Sequence, residues 1–129
     1  MPRRDPSAYI WDVRNACRRL VELTTGCDRE SYTSDLVRRL ACERLLIIIG
    51  EALSQLVKID ADLAAELAPV GPIIAFRNVL VHGYFMLDHA RVWDVLATEL
   101  PSLAASSDRV WARFAPLYNS DEFPSTSHE

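Results

Sequence analysis

Arg77, Asn78, His82 and Tyr84 fall within eight consecutive positions, Arg77-Asn78-Val79-Leu80-Val81-His82-Gly83-Tyr84, and together they suit work on a phosphate ester. A histidine titrating near neutrality can take a proton from a ribose 2′-hydroxyl or give one to a leaving oxygen. A guanidinium holds a phosphate through paired hydrogen bonds and keeps its charge at any working pH. Asn78 can orient either group. This chemistry needs no metal or cofactor, and the sequence shows no cluster of metal-ligand type. Plainer roles stay open for the same residues. A histidine near a helix C-terminus is favoured by the macrodipole, and an arginine on a helix is usually solvated.

These side chains require a helix to carry them. Pro72 suits the first helical position, where its missing N–H costs nothing, and Gly83 suits a left-handed C-cap, so the helix is expected over about 72–82 with His82 in its last turn. Phe76, Val79 and Leu80 then face inward. Arg77 and His82, five apart, are not side by side on such a helix, and a second copy across a two-fold axis is one way to complete the site.

The stretch resembles the signature of HEPN-domain proteins, specifically the HepT toxins of MntA/HepT toxin-antitoxin systems: arginine, four residues, histidine, one residue, tyrosine. Ile48-Ile49-Gly50-Glu51-Ala52, Phe85-Met86-Leu87-Asp88, and Val92-Trp93-Asp94-Val95 through Leu100-Pro101-Ser102-Leu103 agree with it in order, from about Ser34 to Leu103. Where relatives often carry a tryptophan before the arginine, this chain has Gly71-Pro72-Ile73-Ile74. The resemblance implies a homodimeric helical HEPN fold acting as a metal-independent ribonuclease on RNA, with Arg77 and His82 catalytic and Asn78 matching the polar residue after the arginine. It further implies a type VII-like toxin, silenced when a cognate MntA-like nucleotidyltransferase antitoxin attaches AMP to Tyr84. Two alternatives remain. One is a non-catalytic HEPN partner that binds the transferase and accepts nucleotide on Tyr84; the other is a helical dimerisation module in which the motif is a relic.

With 129 residues, half of them apolar and a quarter charged, the chain reads as one soluble domain, residues 1–118, followed by a disordered acidic tail, 119–129. A net charge of −4 argues against nonspecific coating of nucleic acid but is compatible with a local basic cleft. Cys17, Cys27 and Cys42 include no close-spaced pair, and the longest aliphatic run, Leu45 to Ile49, is too short for a bilayer. A reduced, cytoplasmic protein that does not engage a membrane is expected.

No stretch alternates with a convincing strand period, so the expected fold is all-α: an up-and-down bundle of four main helices with a short fifth. Ser7 can cap the first helix and Gly26 ends it; Asp12, Arg14, Arg18, Arg19 and Glu22 form its solvated face. The longest helix is expected from Thr33 or Ser34 to about Val57. Its buried stripe reads Val37, Leu40, Ala41, Leu45, Ile48, Ala52 and Leu56, and its middle is apolar nearly all round, as if it also met a partner subunit. Within it, Gly50 permits close helix approach. Glu51, set among apolar residues, needs Arg77 as its partner or else a route to solvent or a neighbouring backbone group to cap. A short helical piece follows over Asp60 to Leu67. Asp88 caps the next helix, which Pro101 is expected to bend or restart, and Val110, Trp111, Phe114, Leu117 and Tyr118 form a last segment.

Overall fold

In a computed structural model, residues 5–83 and 86–115 are described, and among them every regular element is a helix. Four long helices are α1 (Pro6–Thr24), α3 (Leu36–Ile59), α5 (Val70–His82) and α6 (His89–Trp111); α2 (Arg29–Thr33) and α4 (Ala61–Leu67) are short. The all-α bundle of four main helices is borne out, with two short helices where one was expected.

Aspartates start five of the six. The carboxylates of Asp5, Asp28, Asp35, Asp60 and Asp88 each accept a backbone N–H of the first helical turn, supplying one of the acceptors that a helix start otherwise lacks. Asp5, rather than Ser7, is therefore the cap of α1: the backbone N–H and the hydroxyl of Ser7 both donate to Asp5 Oδ1, at 2.9 and 2.7 Å. The unanticipated α2 is closed by a capping box, with Ser31 N–H on Asp28 and Asp28 N–H on the Ser31 hydroxyl. Because α2 uses Thr33, α3 begins at Leu36, two to three residues later than the sequence suggested, with Asp35 as its cap. Past the end of α1, Gly26 turns the chain with φ at +79°.

The core lies among α1, α3 and α6. Ile10, Val13, Cys17 and Leu20 of α1 meet Cys42, Ile49, Leu53 and Leu56 of α3 and Val92, Leu96 and Val110 of α6. The phase of α3 differs from the expected stripe, since Val37 and Leu40 are 76% and 57% exposed while Cys42, Ile49 and Leu53 are fully buried. A helix apolar nearly all round carries no periodic signal to fix its rotation, so the neighbours that cover it decide which residues face inward. Leu45, Leu46, Ile47 and Ile48 are only partly covered within one chain.

α6 is continuous through Pro101, so the chain does not restart there, and Val110 and Trp111 belong to it. Pro101 is exposed, so its ring points outward and the helix gives up one backbone hydrogen bond on its solvent side. Leu117 and Tyr118, like the expected tail at 119–129, lie outside the described residues. Ion pairs tie the bundle at its surface. Arg14, expected on a solvated face, is mostly covered and donates through Nε to Asp108 at 3.0 Å, with Arg18 Nε 3.9 Å from the same carboxylate. Arg113 grips Glu66 through two bonds of 2.9 and 3.0 Å, which holds the Glu66 carboxyl below its ordinary range.

The three cysteines are unpaired, and burial pushes the Cys17 thiol up to about 12. Trp111 is buried, and Trp93 lies 5.5 Å from the Tyr32 ring, so these tryptophans pack as expected. Among the described residues, no single helix is long and apolar enough to cross a membrane.

Candidate functional site

Helix α5 enters differently from its neighbours. Its cap is Pro69, with no side-chain hydrogen bond, and Pro72 is the third helical residue rather than the first. The third N–H of a helix also lacks an intrahelical acceptor, so the displaced proline costs little there. At the other end Gly83 donates its N–H to the Val79 carbonyl at 2.8 Å, with φ at −106°. The expected left-handed cap is thus not formed. A Cβ added at Gly83 would stand 3.1 Å from the Val79 carbonyl oxygen, so the position favours glycine for space rather than for handedness.

Two anchor points set α5 against α3. The first is Gly50: a Cβ built there would overlap Arg77 Cβ and stand 2.6 Å from its Cγ, so the two helices approach this closely only because Gly50 has no side chain. The second holds the segment that follows α5: His89, the first residue of α6, stands 3.7 Å from Glu43 of α3. Arg77 is placed by backbone packing rather than by side-chain choice alone.

From that position the guanidinium is held on two sides. Arg77 Nη2 lies 3.6 Å from Glu51 Oε1, and Nη1 donates to Asn78 Oδ1 at 2.9 Å. The Nε of Arg77 is buried and without a partner. Glu51 is half exposed, so of the two roles left open by the sequence it fills both: it reaches solvent and it faces Arg77. Held between a carboxylate and an amide, the guanidinium is oriented while much of its donor capacity stays free for an anion.

His82 is in the last turn of α5 and exposed, as is Asn78. Arg77 and His82 are five positions apart, which is about 140° around the helix and about 7.5 Å along it. One chain therefore brings Arg77, Asn78 and Glu51 together, with His82 one turn beyond Asn78 and well round the helix from Arg77. Tyr84, the expected nucleotide acceptor, lies outside the described residues.

Two surrounding features were not foreseen. A cavity of about 650 Å³ opens between α5 and α6, lined by Ile73, Phe76 and Val79 with Val92, Leu96 and Leu103 of α6. Its walls are mostly apolar, with Asp88, Arg91 and Glu99 among them, and Arg77, Asn78 and His82 do not line it. Glu43, the other unforeseen residue, is mostly covered, and this burial raises its pKa although His89 and Arg39 oppose the rise. Among the described residues, no group of three His, Cys, Asp or Glu side chains is placed to hold a metal ion.

Comparison with known proteins adds an independent line. A family profile described as ribonuclease HepT-like matches residues 13–110. A protein of Caldanaerobacter subterraneus, provisionally named as an RNase, is 30% identical over 100 residues, covering 78% of this chain and 88% of that one. Another from Methanocaldococcus jannaschii, named in the same provisional way, is 28% identical over 103 residues, or 80% of this chain and 94% of its own. A Thermococcus cleftensis protein provisionally named ribonuclease HepT is 27% identical over 108 residues, covering 84% and 97%. No solved structure matches significantly. The all-helical bundle, the arginine seated on Gly50 and the profile spanning most of the chain agree, and the chain belongs to the HepT-like ribonuclease family of HEPN proteins.

Proposed function

We propose that this protein is a cytoplasmic toxin of a type VII-like toxin-antitoxin system, a metal-independent endoribonuclease whose site is completed by a second copy of the chain. The observation that carries this reading is the seating of Arg77: its backbone rests on Gly50, its guanidinium faces Glu51 and Asn78, and its Nε is left without a partner. His82 lies on a different face of α5, so a homodimer with α5 near the two-fold axis supplies the histidine of one chain to the arginine of the other. In that arrangement the ribose 2′-oxygen attacks phosphorus while His82 handles a proton. The bond to the 5′-oxygen breaks, leaving a 2′,3′-cyclic phosphate and a 5′-hydroxyl. Arg77 stabilises the charge gathering on the phosphate oxygens.

Tyr84 follows two residues after His82. An AMP placed on its hydroxyl by a nucleotidyltransferase antitoxin brings negative charge and bulk beside the site, which competes with RNA for Arg77.

The test is cleavage of total cellular RNA by purified protein in EDTA, with mass confirming an unmodified Tyr84 and with His82→Ala alongside. Cutting by the parent alone, with cyclic or 3′-phosphate ends, is expected. A requirement for added metal, or cutting unchanged in His82→Ala, overturns the ribonuclease reading. If neither protein cuts, the molecule acts as a nucleotide-accepting partner, and incubation with a nucleotidyltransferase of the MntA-like kind and ATP should then label Tyr84.

A further inference from the structure

Helix α3 presents to solvent a ridge that runs past the arginine site in both directions. Arg44, Glu51 and Lys58 are spaced by seven residues, which on a helix brings each within about 20° of the same line and about 10.5 Å from the next. All three are exposed, with Gln55 beside them and the partly covered Ile47 and Ile48 between Arg44 and Glu51. α3 carries two carboxylates in all. Glu43 is turned to His89, and Glu51 faces Arg77. The aspartates at the ends of the helix cap backbone N–H groups, Asp35 that of Arg38 and Asp60 that of Leu63. Among the described residues, neither Arg44 nor Lys58 has a carboxylate within ion-pair distance, in contrast to Arg14, Arg18, Arg29, Arg38, Arg77 and Arg113. On a chain of net charge −4 this is a ridge whose acids are already engaged and whose two end cations are not.

We infer that this ridge is a track for single-stranded RNA, with Arg44 and Lys58 holding phosphates on either side of the one at Arg77. The inference rests on the ribonuclease reading and extends it from a site to a substrate of several nucleotides. The apolar surface of Ile47 and Ile48 between Arg44 and the site offers a floor for a base or ribose. Arg44 and Lys58 are each about 10.5 Å from Glu51, so a mononucleotide at Arg77 reaches neither, and their contribution grows with RNA length.

The experiment uses the full chain with His82→Ala to prevent turnover, and follows anisotropy of a fluorescein-labelled 12-nucleotide single strand from low to moderate salt. Arg44→Ala combined with Lys58→Ala should weaken binding about ten-fold. It should also lower the slope of log affinity against log salt by about 1.4, since each phosphate contact on a single strand contributes about 0.7. Binding of a dinucleotide should stay unchanged, and Arg44→Lys should keep the slope. An unchanged slope, or no binding by the parent at all, overturns the track. A loss of binding accompanied by a lower sedimentation mass also overturns it, because the ridge is then a contact between chains. The two readings fail separately. If the His82→Ala chain binds with the expected slopes but the chain with His82 intact cuts nothing, the ribonuclease reading fails and the track stands. If the chain with His82 intact cuts RNA while Arg44→Ala with Lys58→Ala leaves binding by the His82→Ala chain unchanged, the track alone fails.

Discussion

Of helices α1 and α5, α5 is the more apolar by sequence and α1 the more charged, yet their burial runs the other way. Seven of the nineteen residues of α1 are buried, and an aspartate caps its start; α5 buries only Leu80 of its thirteen and has no side-chain cap. Val79 and Val81 of α5 stand 49% and 39% exposed, and Met86 just beyond it 88%. The difference teaches which part of the molecule is scaffold and which is instrument. α1 and α6 bury most of their apolar faces within one chain, while α3 is buried along one side and only partly covered at Leu45 to Ile48. α5 is held on one side, through Gly50, and presents the rest of its surface outward along with the motif. Its remaining cover must come from elsewhere, which agrees with the proposed second copy.

The contrast breaks first in the core. Leu53→Ala removes a fully buried side chain of α3 and should cost about 2–5 kcal/mol in urea unfolding. Leu80→Ala in α5 should cost distinctly less, since its surroundings are open enough to relax. Equal costs would mean that α5 is as much scaffold as α1.

Gly50→Ala probes the seam between the two regions. Intrinsic helix propensity favours alanine by about 1 kcal/mol. The new methyl meets the near end of Arg77, where rotating the side chain does not relieve the overlap, and overpacking of this kind costs about 1–3 kcal/mol. A net loss of up to about 2 kcal/mol is expected, with RNA cleavage falling further than stability because Arg77 is displaced. A variant that cuts RNA normally would show that this close approach does not place the arginine.

Val81→Ser should leave the stability of the monomer within about 0.5 kcal/mol, as for other exposed positions, while lowering the sedimentation mass at a given concentration. A mass unchanged from that of the parent would remove α5 from the proposed dimer contact.

The smallest effect concerns Glu43. Burial raises its folded pKa above its unfolded value, so the stability linked to its protonated form is present at low pH and lost as pH rises through the folded pKa. Glu43→Gln abolishes that loss. The thermal midpoint of the parent should therefore fall relative to that of the variant as pH climbs out of the ordinary carboxylate range, and a constant difference across that range would contradict the assignment.

Much of this was legible because the signals are local. A cap acts within three residues, so Asp60 and Asp88 marked helix starts in the sequence, and Asp5, Asp28 and Asp35 carry the same signal where Ser7 and Thr33 or Ser34 were favoured instead. The arginine, asparagine and histidine of the motif could be assigned to the last turns of a helix for the same reason. The rotation of α3 was not legible, because Leu45 to Ile49 are apolar in every direction. Nor was the continuity of α6, since a proline permits either a break or a helix that gives up a single bond.

By itself the sequence determined the all-helical class, the order of the long helices and the chemistry available on α5, since composition, periodicity and capping act over a turn or two. Only the tertiary structure decided that Arg77 rests on Gly50 and meets Glu51, that Glu43 turns to His89, and that Arg44 and Lys58 line up beside them. Those relations join residues up to 46 positions apart, and they depend on how closely helices can approach, which side-chain volumes at the crossing set and no local pattern records.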